Sequence, residues 1–305
     1  MAYTRPTVGS LQMWADAVGD QSYTYDNLLP YYLKSLNFTP PDMNKRMANS
    51  TPSFDVSSIA GNGLLDVTYP NYAQGLATWV EKALAEGGID PINGFTSGSL
   101  IGSSWILDTI NLTTGFRESS STAFLRPFLD RPNLAVFTNT LAEKIIFSGT
   151  KATGVEASGA KGTLTISAKK EVILSAGTFQ SPQLLMVSGV GPADVLAKNG
   201  IPLIKNLPGV GQDMNDHILF GITYRVNVQT STALFYGNGF PKAAEQFFAT
   251  QDGQISSPGG DFLGFEKVPK DLQAGFSAST LAGMSYFVWF IRAFVSWVAA
   301  IFNYG

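Results

Sequence analysis

The chain has 305 residues, 45% of them apolar and 14% charged, enough for one large domain or two ordinary ones. That balance excludes an acidic disordered chain, and 31 Gly with 16 Pro fall far short of collagen-like usage. A net charge of −3 offers no basic stripe to nucleic acid, and zero Cys excludes disulfides and thiolate chemistry. A single histidine, His217, excludes any His-His metal site, so neither a metal centre nor a two-histidine mechanism is expected.

Leu11, Trp14, Ala15 and Val18 share one helical face, and Gly19 is placed to end that helix. Thr24 opens a second helix that carries Pro30 inside its first two turns. Residues 39–65, rich in Pro, Asn, Ser and Gly, read as an irregular surface excursion. Leu76, Trp79, Val80, Ala83 and Leu84 then form an amphipathic helix closed by Gly87 and Gly88. Short strands are predicted at 134–138, 143–148, 153–157, 163–168 and 171–175, the later ones joined as hairpins. The last is apolar on both faces and is expected inside a sheet. Ala176 and Gly177 turn the chain, Ser181-Pro182 is read as the start of a helix, and a further helix over 193–199 stops at Gly200.

Residues 171–219 carry the densest signals. Small residues after a buried strand let a ligand or another backbone come close, and a helix amino terminus favours an anionic group. On spacing alone, the Gly-x-Gly turns at 189–191 and 209–211 are more simply read as changes of chain direction.

The fifteen residues Gly177-Thr-Phe-Gln-Ser-Pro-Gln-Leu-Leu-Met-Val-Ser-Gly-Val-Gly191 resemble the second signature of the glucose–methanol–choline (GMC) family of flavin-dependent oxidoreductases. Pro208-Gly-Val-Gly-Gln-Asp-Met-Asn-Asp-His217 is similar to the segment that follows it there. Met1-Ala-Tyr-Thr-Arg5 looks like the end of the first signature, and the likeness extends to about Ser279. Tyr31-Tyr-Leu-Lys-Ser-Leu-Asn-Phe-Thr-Pro40 and Phe179-Gln-Ser-Pro-Gln183 look nearest to the fungal secondary-metabolite branch, which includes versicolorin B synthase-like cyclases.

The resemblance implies an α/β (α+β mixed) fold. It would comprise an incomplete FAD-binding domain of GMC type over 1–219, lacking the amino-terminal βαβ unit and carrying an inserted β-meander, and the start of a substrate domain over 220–282; the apolar tail over 283–305 falls outside the family pattern. It implies FAD as cofactor, with Met1 beside the flavin, the backbone of Ala142 at the adenine, and Ser175, Ala176 and Gly177 near the nucleotide. His217 is read as a hydrogen-bonded residue that fixes its loop.

Two family features do not occur in the chain. None of its Gly-x-Gly turns has the third Gly of a Gly-x-Gly-x-x-Gly pyrophosphate cradle, and no residue matches the usual carboxy-terminal His base, so no catalytic residue is assigned. The expectation is a GMC oxidoreductase by descent, acting on a small alcohol-bearing metabolite but inactive as this stretch of chain, which is truncated at both ends. The alternatives are a non-redox cyclase on the same scaffold and a non-catalytic, membrane-associated fragment.

The run 281–302 has ten Leu, Ile, Val and Phe residues, worth roughly −3 to −6 kcal/mol of insertion, against about +2.5 to +3.5 for Arg292 at its centre. A membrane span, an interfacial tail and a core helix all stay open, and residues 284–305 are expected to be retained intron or out-of-frame sequence. No signal peptide is evident, and the sequons at Asn37, Asn49 and Asn111 are no more frequent than chance, so localisation is not assigned.

Overall fold

The computed structural model describes residues 2–214, 216, 219, 221, 223–267 and 274–275. Met1, His217 and the apolar run 281–302 lie outside the described residues. Two compact units divide the chain: residues 1–131 together with 222–305, and residues 132–221.

The first unit opens with helix α1, Val8–Val18. The Thr7 hydroxyl accepts the Ser10 N–H at 3.0 Å, and Gly19, in the left-handed region at φ 69°, closes the helix onto the Ala15 and Asp16 carbonyls. Helix α2, Tyr25–Ser35, accommodates Pro30 and runs into strand β1, Leu36–Phe38. The excursion that follows holds one short helix, α3, Val56–Ile59, before strand β2, Leu65–Val67, which pairs parallel to β1. Helix α4, Gly75–Glu86, and strand β3, Gly102–Trp105, follow.

In the second unit, β4, Leu141–Ser148, β5, Lys151–Gly159, and β6, Gly162–Ser167, form an antiparallel meander. Positive φ at Gly149 and Gly162 makes both its reversals. Helix α5, Gly177–Val187, then leads to β7, Val190–Gly191, helix α6, Ala193–Lys198, and β8, Lys205–Asn206, parallel to β7. The chain re-enters the first unit with helix α7, Gly239–Thr250, and strand β9, Phe262–Phe265, antiparallel to β3.

Leu36, Ile59, Val67, Tyr69, Leu84, Trp105, Leu107 and Phe262 build the core of the first unit, with the Trp105 and Phe262 rings edge to face at 5.3 Å. Beyond β3 the chain stays extended through Asp108, which exchanges two backbone hydrogen bonds with Thr68 (2.8 and 2.9 Å) and is bridged on its other side to Ala2. Tyr3 N–H donates to the Leu107 carbonyl at 2.6 Å. Residues 2–3, 67–68 and 107–108 thus lie side by side.

Several expectations are corrected. Residues 134–138 form no strand. Residues 171–175 form none either, and Ile173 is 77% exposed. An apolar run becomes an internal strand only when both edges find partners, and none of the described strands pairs with this one. Helix α5 begins at Gly177, four residues before the expected Ser181. The Ser181 hydroxyl accepts the Ala176 N–H at 3.1 Å, which ties the turn to the first helical turn and leaves Pro182 inside the helix. Trp14 and Trp79 are about half exposed, because smaller residues at the centres of their faces (Leu11 and Ala15; Ala77, Ala83 and Leu84) take the buried positions.

Candidate functional site

Within residues 132–221 a cleft of about 600 Å³ lies between β4 and α5. Residues 140–143 form one wall, and Ala176, Gln180, Gln183, Leu184 and Val187 form the other. The β4 wall belongs to the outer strand of the meander, whose far edge pairs with no strand among the described residues. A bulge between Ala142 and Lys144 breaks the ladder where that strand borders the cleft. The α5 wall starts at a helix amino terminus, where Gly177 sits at φ 87° with open space around its Cα.

One buried hydroxyl joins the two walls. Ser188, 1% exposed just past the end of α5, accepts the Ile145 N–H of β4 at 2.8 Å and donates to the Leu184 carbonyl at 2.5 Å. Without it the Ile145 N–H would be buried and unpaired. Gly189, at φ 93°, passes so close to the Pro202 carbonyl that a Cβ would lie 2.6 Å from that oxygen.

The structure brings together two of the five residues singled out from the sequence: Ala142 and Ala176 face each other across the cleft. Ser175 and Gly177 flank Ala176 in the chain and are exposed. Met1 lies outside the described residues. Sequence reasoning did not single out Gln180, Gln183 or Ser188. The first two were legible as polar residues three apart on one helix, and Ser188 only as a small residue ending the signature.

The other unit holds a buried charged group. The Arg46 guanidinium donates to the carbonyls of Ser50 and Pro70 and stacks on Trp105 at 5.1 Å. Burial pulls its pKa down to about 10, and Asp261 opposes that shift. Asp261 accepts the Gln74 N–H at 2.7 Å and the Ser257 hydroxyl at 2.5 Å, yet burial still raises its pKa. Asp108 is wholly buried with both carboxyl oxygens unpartnered, and burial pushes it up to about 7, a shift that the positive amino terminus opposes and Asp261 reinforces. Among the described residues no three His, Cys, Asp or Glu side chains converge on a metal position.

This chain belongs to the GMC oxidoreductase family, whose profile matches residues 1–219. It is 48% identical over 285 residues to a glucose-methanol-choline family oxidoreductase of Annulohypoxylon moriforme, covering 93% of this chain and 47% of that protein. It is 48% identical over 271 residues to patulin synthase of Penicillium expansum, covering 88% and 43% respectively. Against versicolorin B synthase of Aspergillus parasiticus the identity is 43% over 272 residues, covering 88% and 42%. The chain therefore spans about half the length of the curated relatives it matches. Among solved structures, an FAD-dependent oxidoreductase from Chaetomium thermophilum superposes with a TM-score of 0.80 at 27% identity, over 94% of this chain and 49% of that one. The mixed α/β GMC fold, the fungal secondary-metabolite relatives and FAD as the family's cofactor all agree with the sequence expectations.

The cleft fits the nucleotide end of FAD. Its volume is in the range of small-molecule sites, its walls are mostly apolar, and one of them is the outer strand of the meander, an edge that can offer main-chain donors and acceptors. The pyrophosphate has no Gly-x-Gly-x-x-Gly cradle among these 305 residues.

Proposed function

We propose that the unit 132–221 holds the adenosine end of FAD between β4 and α5, in a flavoprotein oxidoreductase that oxidises an alcohol-bearing fungal secondary metabolite. The observation that carries this reading is the meeting of Ala142 and Ala176 in one cleft, two positions that the family resemblance independently sets at the nucleotide. When bound, FAD supplies the hydride acceptor for alcohol oxidation. The chain's own part is to bind and orient. The strand edge reads the polar rim of a flat base, Leu184 and Val187 cover its faces, and the Gly177 end of α5 favours the negative charge that follows. Residues 220–282 then begin the part that meets the substrate.

The test is a competition titration on the chain with FAD, followed by flavin fluorescence. AMP should displace FAD and FMN should not, and Ala142→Trp should abolish binding by filling the cleft. Displacement by FMN but not by AMP would refute the assignment.

A further inference from the structure

Helix α7 buries only one side of itself. Ala243 and Phe247 are its buried residues, and the Phe247 ring meets Phe116 edge to face at 5.4 Å. At 3.6 residues per turn, Glu245 falls on the side opposite that stripe, flanked by Lys242, Phe248 and Ala249, all of them exposed. Just ahead of the helix, Phe235 ends a short 3₁₀ turn, Ser231–Phe235, and it and Tyr236 are 83% and 73% exposed. Gly239 lets the Ala233 carbonyl of that turn come so close to the helix start that a Cβ would not fit. Phe116, Phe240 and Phe248 are each more than half exposed as well. Five uncovered aromatic rings along one helix and its leading turn are more than the scattered apolar exposure of an ordinary surface.

We infer that this face docks a second copy of the chain in a two-fold symmetric pair, with α7 crossing the partner's α7 antiparallel. Area and charge both select a second copy. An aromatic side chain offers roughly 200 Å², so five exposed to this extent present about 700 Å² per copy, near the ~800 Å² a partner contributes to a stable interface. The side chains of Lys242 and Glu245 make no hydrogen bond or ion pair among the described residues. A two-fold axis passing between them sets Lys242 against the partner's Glu245, and Glu245 against the partner's Lys242. A helix that carries one charge of each sign on its outer face, three residues apart, is complementary to its own antiparallel image. A lipid surface would gain nothing from Glu245.

The pairing is independent of the flavin reading, because Phe116 and residues 235–248 belong to the first unit and the cleft lies within 132–221. Symmetry doubles the effect of every substitution: one reversed charge removes two attractions and creates two repulsions. Lys242→Glu leaves the face with two acids, and Glu245→Lys leaves it with two bases. Each variant therefore repels its own copy and suits the other.

Sedimentation velocity of the full chain over a concentration series reads the pairing and needs neither flavin nor substrate. The wild type should sediment as a dimer. Lys242→Glu and Glu245→Lys should each weaken association about tenfold or more, and an equimolar mixture of the two should restore it. The double exchange Lys242→Glu/Glu245→Lys should pair like the wild type, whereas Phe248→Ser should weaken pairing in every charge background. Recovery on mixing also shows that both single variants are folded. A monomeric wild type overturns the proposal, and its capture by phosphatidylcholine vesicles would assign the face to lipid instead. Association indifferent to the charge exchanges, as the run 281–302 would drive, overturns it too. So does a loss that neither mixing nor the double exchange restores. Failure of FAD to bind, alongside the expected sedimentation, would remove the flavin reading and leave the pairing intact.

Discussion

Replacing Ser188 by Ala removes the hydroxyl that ties the two walls of the cleft together. Two bonds disappear, but their costs differ. The Leu184 carbonyl keeps the Ser188 N–H at 3.2 Å, so its loss is partial. The Ile145 N–H keeps nothing: Ile145 is 4% exposed and Ser188 Oγ is its partner. A buried amide left unpaired costs about 1–3 kcal/mol, and a small hydroxyl-sized void adds little. We therefore expect a loss of about 2 kcal/mol, concentrated in the unit 132–221. None of the five tryptophans lies between 132 and 221, so fluorescence would miss the change. Amide exchange of β4 and β5 reads it, and about 2 kcal/mol corresponds to roughly thirtyfold faster opening. Thr140→Ala serves as the comparison, since its hydroxyl bonds the nearby Thr138 carbonyl on the exposed surface. If Ser188→Ala opens no faster than Thr140→Ala, the clamp is not what holds β4 against α5.

Three further outcomes are expected. Asp108→Asn should stabilise the chain at neutral pH: a carboxyl raised from 3.8 to about 7 contributes a penalty absent below pH 4, growing as pH rises to 7 and reaching at most roughly 4 kcal/mol. Melting temperature followed across that range should fall with pH in the wild type and stay flatter in the variant. Gly189→Ala combines a φ of 93° with a Cβ 2.6 Å from the Pro202 carbonyl. It should cost about 2 kcal/mol or more and speed exchange at Ile204 and Lys205, whose N–H groups donate to the Gly189 carbonyl. Arg46→Met keeps the packing on Trp105 but strips the Ser50 and Pro70 carbonyls of their donor and Asp261 of a compensating charge. A loss of about 3 kcal/mol or more is expected in thermal unfolding, followed by far-ultraviolet circular dichroism.

Local chemistry was readable wherever it decided structure locally. Gly19 ends α1 in the left-handed conformation that glycine adopts without strain, and the glycines at 149 and 162 set the reversals of the meander, so its three strands were legible within a few residues. What depended on a distant partner was not. The run 171–175 has the composition of an internal strand, but composition cannot supply the neighbouring edge, and without one Ile173 faces solvent. The same limit hid Asp108 and Arg46, since nothing around them in sequence announces that residues 2, 68, 70 and 261 come together there. The site was half legible. Ala142 and Ala176 follow from the family motif, whereas Ser188 becomes informative only once Ile145 is seen across from it.

The chemistry of the cleft narrows which end of a dinucleotide it suits. No lysine or arginine lines it, and Glu143 does, so a pyrophosphate lodged there would meet a carboxylate and no cation. The positive end of α5 is equivalent to about half a charge, enough to favour a phosphate at its rim but not to hold two inside. A neutral heteroaromatic base faces no such opposition. Its edge presents donors and acceptors of the kind that a β-strand edge offers in return, and its faces need the apolar cover that Ala142, Leu184 and Val187 provide. Gln180 and Gln183, three apart on α5, add amide groups that can adapt to either polarity. The balance of lining residues therefore favours the base over the phosphates on electrostatic grounds alone, which is why displacement by AMP, and not by FMN, discriminates between the two orientations.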